Sequence, residues 1–262
     1  THSCGVTRDA TIRWLVGRGV GTGQDWGLPV AGETYDGDLN DIHGFHVTAG
    51  HAMRALDAAS GGPVAEGNVG GGTGMICHEF KCGIGTASRR VTVAGQDYTL
   101  GVLVQANYGV RDTLRIAGVP VGQHLRNDRI YSESDPVAAD TGSIIIVVGT
   151  DAPLLPHQLK RIARRPALGI GRMGSFAGNG SGDIFIAFST ANPQASQAQA
   201  AEVRMLGSDQ LDPLFLACAD ATEEAIVNAL VAGRTMSGNG ERVEGIDHAA
   251  LQAILRKHGR LR

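Results

Sequence analysis

Ala139-Asp140-Thr141-Gly142-Ser143-Ile144-Ile145-Ile146-Val147-Val148-Gly149 is the stretch of sequence on which the interpretation of the fold depends. A Gly-Ser pair opens directly onto a run of five β-branched apolar residues, the composition of a fully buried strand. A serine at the first position of such a strand is held rigidly, and the residue before it is a glycine. The pattern therefore predicts a buried strand over 143–149.

Cleavage between Gly142 and Ser143 would make Ser143 an N-terminal residue that carries both a nucleophile and a base. Its hydroxyl can attack a carbonyl, and its α-amine, with an ordinary pKa of about 7.7–8.0, can accept the proton near neutral pH. The alternative is a turn followed by a core strand without chemistry. Taken alone, the segment favours that alternative, so the remaining sequence has to decide.

The composition excludes several classes of partner. The chain has 262 residues, 42% of them hydrophobic, which fits one large globular domain or two small ones. A net charge of −3 without a basic stripe predicts no nucleic-acid partner. No apolar run reaches about 18 residues, so no membrane partner is predicted. Four scattered cysteines, without a recognisable signal peptide, indicate reduced thiols and a cytoplasmic location.

Four short patterns resemble ligand sites but lack a required feature. G-x-G-x-x-G at Gly169–Gly174 follows a predicted helix rather than a strand, which argues against a dinucleotide. The loop Gly67–Gly74 lacks the Lys-Ser/Thr ending of a phosphate loop. Asp36–Asn40 begins like a calcium loop but lacks its later Gly and Glu. Cys77 and Cys82 have the wrong spacing for zinc, so no metal is predicted.

The remaining elements are predicted from periodicity and from residues that begin or end helices and strands. Helices are expected over 7–17, 50–59, 157–165 (closed by Pro166), 212–232 and from the cap Asp247 to 257; strands are expected over 89–93, 98–107, 143–149 and 183–190. Because strands and helices are segregated in pairs, the sequence favours a layered α+β fold.

Ser181 and Asp183 place a hydroxyl and a carboxylate at the beginning of the last predicted strand, after a glycine-rich loop. An N-terminal amine that serves as a base needs an orienting partner, and a Ser/Asp pair on a neighbouring strand is chemically suitable. The alternative is an Asn-Gly-Ser-Gly turn in which the carboxylate has no particular role.

Three longer strings resemble the self-processing L-aminopeptidase/D-amidase-esterase family, which includes the β-peptidyl aminopeptidases. They are Glu66-Gly-Asn-Val-Gly-Gly-Gly-Thr-Gly-Met-Ile-Cys-His-Glu-Phe-Lys81, Asp140-Thr-Gly-Ser-Ile-Ile-Ile-Val147 and Asn179-Gly-Ser-Gly-Asp-Ile184. The likeness runs over essentially the whole chain. It implies one catalytic domain over 1–262, folded as a four-layer α-β-β-α sandwich of the N-terminal-nucleophile-hydrolase type. It also implies autocleavage into portions 1–142, lacking the family's N-terminal part, and 143–262.

The same resemblance implies roles for individual residues. Ser143 is the nucleophile that autocleavage releases, and Asn107 supplies a hydrogen-bond donor to the oxyanion hole. Tyr35 lines the site and helps to bind the amino end of the substrate. Ser181 and Asp183 orient the new α-amine. No metal or organic cofactor is implied.

The expected function is removal of N-terminal residues from short peptides, amides or esters through an acyl-enzyme, by a homo-oligomer of processed heterodimers. One alternative is an acyltransferase like the ornithine acetyltransferases, which usually use Thr as the nucleophile, so that Ser143 argues against it. The other is a binding protein in which Gly142–Ser143 stays intact. A denaturing gel separates the processed enzyme from the intact binding protein, since processing yields two fragments.

Overall fold

The protein is described by a computed structural model that covers residues 1–19, 27–130, 142–195 and 200–262. Six α-helices lie in these ranges: α1 (Cys4–Gly17), α2 (Ala49–Asp57), α3 (Pro156–Ile162), α4 (Pro166–Arg172), α5 (Asp212–Ala232) and α6 (His248–Lys257). The strands are β1 (Ile76–Cys77), β2 (Phe80–Lys81), β3 (Ile84–Val93), β4 (Gln96–Asn107), β5 (Ser143–Thr150), β6 (Ile184–Ser189), β7 (Met236–Gly238) and β8 (Glu241–Val243).

The main sheet has the strand order β3-β4-β5-β6. Antiparallel pairs join β3 to β4 and β4 to β5, whereas β5 and β6 are parallel and are connected through α3 and α4. The predicted strand at 143–149 is confirmed, and β5 extends one residue further. The hairpins β1–β2 and β7–β8 form two small additional sheets, which periodicity did not predict.

Helices cover one face of the main sheet. The helix α5 packs on β3 and β4, and α4 packs on α5. Ile144, Ile146 and Val148 are buried in the core, whereas alternate residues of β5 are only half-buried. The expectation that β5 is fully buried is therefore wrong, because helices cover a single face of it. The helices α3, α4 and α5 form a helix layer on the main sheet. None of the helices in the described ranges is long and apolar enough to span a membrane.

Most helices agree with the sequence patterns. The bounds of α5 are those predicted, and the carboxylate of Asp247 caps α6 by accepting hydrogen bonds from the backbone N–H groups of Ala249 and Ala250. The helix predicted over 157–165 is wrong at its end, because α3 stops at Ile162 and Pro166 begins α4. Proline fits the first turn of a helix, where its missing N–H leaves no bond unmade.

The hairpin of β3 and β4 turns through Ala94 and Gly95, which both have positive φ (50° and 78°). This is the turn geometry that matches the twist of paired strands. The strand β3 begins at Ile84, five residues before the predicted start at 89. Glycine, threonine and serine in its first half dilute the apolar alternation from which strands are predicted.

Close packing between the sheet and α5 depends on Gly85 in β3. A Cβ atom there would lie 1.9 Å from the carbonyl oxygen of Ala225 and 2.6 Å from the backbone nitrogen of Ala229, both in α5. Because these contacts are to helix backbone, a side chain at this position would force α5 away from the sheet.

We predict that Gly85→Ala destabilises the protein by about 1–3 kcal/mol, the usual cost of overpacking, and lowers the melting temperature by several degrees. Gly101→Ala in β4 is the matched control, because a Cβ there meets no atom within 4 Å. The measurement is thermal unfolding of both variants beside the parent. Equal melting temperatures for the two variants would contradict the proposed helix–sheet contact.

Candidate active site

Ser143 is the first residue of β5 and pairs with Asn107, the last residue of β4. Residues directly opposite each other in an antiparallel pair have their Cα atoms only about 4.5–5.5 Å apart, with side chains on the same face. The register of the sheet therefore brings the predicted nucleophile and the predicted oxyanion donor together.

Gly142 occupies a position with no room for a side chain. A Cβ atom there would lie 2.2 Å from the carbonyl oxygen of Asn107 and 2.7 Å from the Cα of Tyr108. The peptide bond between Gly142 and Ser143 is thus held tightly against the end of β4. Steric exclusion gives a physical reason for the glycine that precedes the serine.

Ser143, Ser181 and Asp183 converge at the beginning of β5 and β6, as the sequence predicts. The backbone N–H of Gly182 donates to Ser143 Oγ at 2.9 Å. Asp183 Oδ1 accepts hydrogen bonds from Ser181 Oγ at 2.7 Å and from the backbone N–H of Ile144 at 3.1 Å. The carboxylate is therefore bound one residue beyond the nitrogen that cleavage would convert to an α-amine.

The side-chain amide of Asn107 is buried and held by a backbone group. Its Oδ1 accepts a hydrogen bond from the backbone N–H of Ile76 at 2.8 Å. Because the oxygen is engaged there, the Nδ2 hydrogens are directed elsewhere and remain the donors that this side chain can offer. Sequence reasoning missed Ile76, since its contribution comes from the backbone and has no residue-type signal.

Tyr35 lies near this end of the sheet but does not hydrogen-bond to Ser143 in the described part of the chain. Its side chain is exposed and folds over Gly37, where a Cβ would lie 2.3 Å from the tyrosine Oη. The preceding Thr34 is anchored on β4, because its Oγ1 accepts a hydrogen bond from Gln105 Nε2 at 2.8 Å. The residue that precedes Tyr35 is thus bound to Gln105, which lies two residues before Asn107 in β4.

Two carboxylates flank Tyr35 in the sequence. Glu33 Oε2 and Asp36 Oδ1 each lie 3.0 Å from the backbone nitrogen of Thr1. Asp36 also packs against Gly74, where a Cβ would lie 2.8 Å from the aspartate Cβ. The two acidic groups therefore converge on a single nitrogen beside the glycine-rich loop.

A buried polar hairpin supports the segment that follows Asn107. His78 and Glu79 form the turn between β1 and β2, and both have positive φ (49° and 62°), which is uncommon for residues other than glycine. The backbone N–H of His78 donates to the Tyr108 carbonyl, and Glu79 accepts from the backbone N–H of Arg111. Sequence reasoning missed this hairpin because charged side chains are normally exposed.

Cysteine is a poor candidate for the nucleophile. Cys77, Cys82 and Cys218 are fully buried free thiols, and burial raises the pKa of Cys218 to about 12 and that of Cys77 well above its ordinary value. Since the thiolate is the reactive form, Cys77 and Cys218 are inert near neutral pH. In the described ranges, no group of three or more His, Cys, Asp or Glu side chains is arranged to hold a metal ion.

Two curated proteins are close relatives. The β-peptidyl aminopeptidase BapA of Sphingosinicella microcystinivorans is 52% identical over 273 residues, covering 100% of this chain and 68% of that protein. The enzyme of the same name from Sphingosinicella xenopeptidilytica is 49% identical over 242 residues, covering 87% of this chain and 60% of that protein. The chain thus spans about two thirds of the length of these relatives.

Two solved structures of aminopeptidases are similar to this chain over almost its whole length. The L-aminopeptidase D-Ala-esterase/amidase of Ochrobactrum anthropi, described as a prototype of the serine aminopeptidases, superposes with a TM-score of 0.92 at 51% identity, covering 100% of this chain and 73% of that one. A Burkholderia β-aminopeptidase gives a TM-score of 0.87 at 50% identity, covering 99% and 72%. The first is a variant of the N-terminal-nucleophile (Ntn) hydrolase fold, which confirms the predicted fold type.

The family itself follows from a match over nearly the whole sequence. The model of peptidase family S58 matches residues 1–243, a range that includes both strands that meet at Ser143. The family resemblance inferred from the three glycine-rich strings is therefore confirmed. This chain belongs to peptidase family S58.

Proposed function

We propose that this chain is a self-processing serine aminopeptidase that releases N-terminal residues from short peptides, amides or esters. The observation that carries the proposal is the convergence of Ser143 with Asp183 and Asn107, directly after a glycine whose position leaves no room for a Cβ atom. The relatives are aminopeptidases, which favours this function over the acyltransferase and over a non-catalytic binding protein.

Processing uses the same hydroxyl as turnover. Ser143 Oγ attacks the carbonyl carbon of Gly142, and collapse of the tetrahedral adduct breaks the C–N bond, so that Gly142 becomes esterified to Oγ and the nitrogen leaves as an amine. Water then hydrolyses the ester, which gives a Gly142 carboxylate and a free Ser143 residue. The tight packing of Gly142 on β4 supports this step by holding the carbonyl in place.

In turnover, the new α-amine of Ser143 accepts the proton as Oγ attacks the substrate carbonyl. Asp183, with Ser181 bound to it, holds the amine, and Asn107 Nδ2 donates to the developing oxyanion. A donor of this kind contributes about 3 kcal/mol to the transition state. The amine then protonates the leaving group, and water releases the acyl group by the reverse sequence.

The cellular setting belongs to the same proposal. The free thiols support a cytoplasmic location, because disulfides are rare in that compartment. We also propose that the processed heterodimers assemble into a homo-oligomer, which size-exclusion chromatography with light scattering would test.

Ser143→Ala is predicted to abolish both self-cleavage and turnover, because one hydroxyl performs both attacks, whereas Ser143→Thr retains a hydroxyl and some processing. The measurements are a denaturing gel and hydrolysis of an aminoacyl p-nitroanilide. Ser189→Ala is the control, since that hydroxyl bonds the Ala152 carbonyl near the other end of the strands. Parental turnover in Ser143→Ala would overturn the assignment of the nucleophile.

Asp183→Asn is predicted to lower kcat by about 10²–10⁴-fold with a small effect on folding. A carboxylate beside an ammonium favours its charged form, so its removal lowers the pKa of the α-amine. The rising limb of the pH–rate profile should therefore move to lower pH.

The matched control for this prediction is Asp151→Asn, because Asp151 also accepts a backbone hydrogen bond, from Thr99 at 2.7 Å, but beyond the far end of β5. Both variants need melting curves beside their pH–rate profiles. An unchanged profile together with a large loss of melting temperature in Asp183→Asn would show that the carboxylate is purely structural.

Acetylation of the substrate's α-amine is predicted to lower kcat/KM by on the order of 10–100-fold, because it removes a charge-assisted hydrogen bond of roughly 1.5–3 kcal/mol. Tyr35→Phe should reduce that difference if the hydroxyl binds the amine, whereas Tyr98→Phe, whose hydroxyl bonds Gln96, should not. Equal rates of the parent on both substrates would indicate an endopeptidase or general esterase instead.

A further inference from the structure

We propose that Lys81 is a positioning residue for the reaction, which orients and polarises Asn107 through a single peptide group. The inference rests on the proposed function, in which Asn107 donates to the oxyanion. Lys81 itself touches neither Ser143 nor the reacting atoms, and it acts through the peptide that joins Met75 to Ile76.

The ammonium group of Lys81 is enclosed by backbone carbonyls. The residue is fully buried, and its Nζ donates to the carbonyl oxygens of Cys82 at 2.6 Å, Met75 at 3.0 Å and Gly72 at 3.3 Å. Three donors thus meet three acceptors, which satisfies the group completely. The lysine therefore fixes the segment 72–75 at both of its ends, Gly72 and Met75.

One peptide group links this cage to the candidate active site. The carbonyl of the Met75–Ile76 peptide accepts from Lys81 Nζ at 3.0 Å, and the N–H of the same peptide donates to Asn107 Oδ1 at 2.8 Å. The backbone N–H of Cys82 adds a second donor to that carbonyl, also at 3.0 Å. A continuous chain of hydrogen bonds therefore runs from the ammonium through the peptide to the carboxamide of Asn107.

Each link in such a chain strengthens the next. Electron withdrawal from the peptide carbonyl makes its N–H a stronger donor, and a stronger bond to Asn107 Oδ1 makes the Nδ2 hydrogens more positive. These hydrogens are the groups that face a developing negative charge. The arrangement is preorganised, because every donor is fixed before the substrate arrives.

The charge of Lys81 is not cancelled nearby. No carboxylate in the described ranges forms an ion pair with Nζ, and all its acceptors are neutral carbonyls. Burial lowers the pKa of Lys81 to about 8, so the charged form predominates at pH 7. Burial of a charge is costly unless the group is both paired and hydrogen-bonded, so the presence of this charge beside Asn107 calls for a functional reason.

The first test is the kinetics of Lys81→Met, which keeps the volume and removes the charge. We expect kcat and kcat/KM for an aminoacyl p-nitroanilide to fall by the same factor, about 10–100-fold, because only transition-state binding is lost. In an Asn107→Ala background the same substitution should cost less than about threefold, since coupled residues are not additive. If Lys81→Met lowers kcat by the same factor in the parent and in the Asn107→Ala background, the proposal is overturned.

Gln158→Met is the matched control for lost stability. Gln158 is also fully buried and donates from Nε2 to a backbone carbonyl, that of Leu206 at 2.7 Å, but it lies in α3 within the helix layer. It should lower the melting temperature without changing kcat. A fall in kcat that follows melting temperature in both variants would show that Lys81 is merely structural.

A second test needs no substitution of Lys81 and no substrate. In the uncleaved Ser143→Ala protein, the Ile76 amide proton and the Asn107 Nδ2 protons should shift with the same midpoint as the Lys81 Cε resonance in an NMR pH titration. If the Ile76 and Asn107 resonances do not shift as Lys81 titrates, the proposed coupling is overturned. The result stands independently of the proposed function, which fails instead if parental turnover does not depend on Ser143.

Discussion

Asn107 and Ser143 face each other because β4 and β5 pair in one register, from Leu100 opposite Thr150 to Asn107 opposite Ser143. A slip of one residue would turn every side chain of β5 to the other face, exposing Ile144 and Ile146 and burying the serine. Burial of alternate β5 residues under α5 and its neighbours therefore fixes the site as well as the core. The relative position of Ser143 and Asn107 is therefore determined by hydrophobic packing on the opposite face of the sheet.

Buried polar groups of the β1–β2 hairpin bind the segments around the site. The β1–β2 hairpin carries buried His78, Glu79 and Lys81, and its turn has two residues in the left-handed region, a conformation that costs free energy. Its groups bind the backbone on both sides of the site, at Met75 and at the residues that follow Asn107. Backbone strain and buried charge are thus gathered on one small element beside the site.

The sequence predicted those features that depend on periodicity or on residue type. The bounds of α5, the cap at Asp247, the start of β5 and the meeting of Ser143 with Ser181 and Asp183 could all be foreseen. The two-residue strands β1 and β2 are too short to show any period, and a proline after a helical pattern can either follow one helix or begin the next, as Pro166 does. The contact of Ile76 with Asn107 is made by backbone, and so no residue type could reveal it. The roles of Ser143, Asn107, Tyr35, Ser181 and Asp183 remain predictions for the experiments above.

The proposed cleavage after Gly142 would have a consequence for how the protein loses its structure. The bond before Ser143 lies between β4 and β5 in the sequence, so cleavage there would place two hydrogen-bonded neighbours of one sheet in different polypeptides. The helix α5 would then pack on strands β3 and β4 of the other fragment. Unfolding of the cleaved protein would be a dissociation whose midpoint depends on protein concentration, and refolding would require two fragments to meet. The lifetime of such a two-fragment protein would depend on the rate at which its fragments separate.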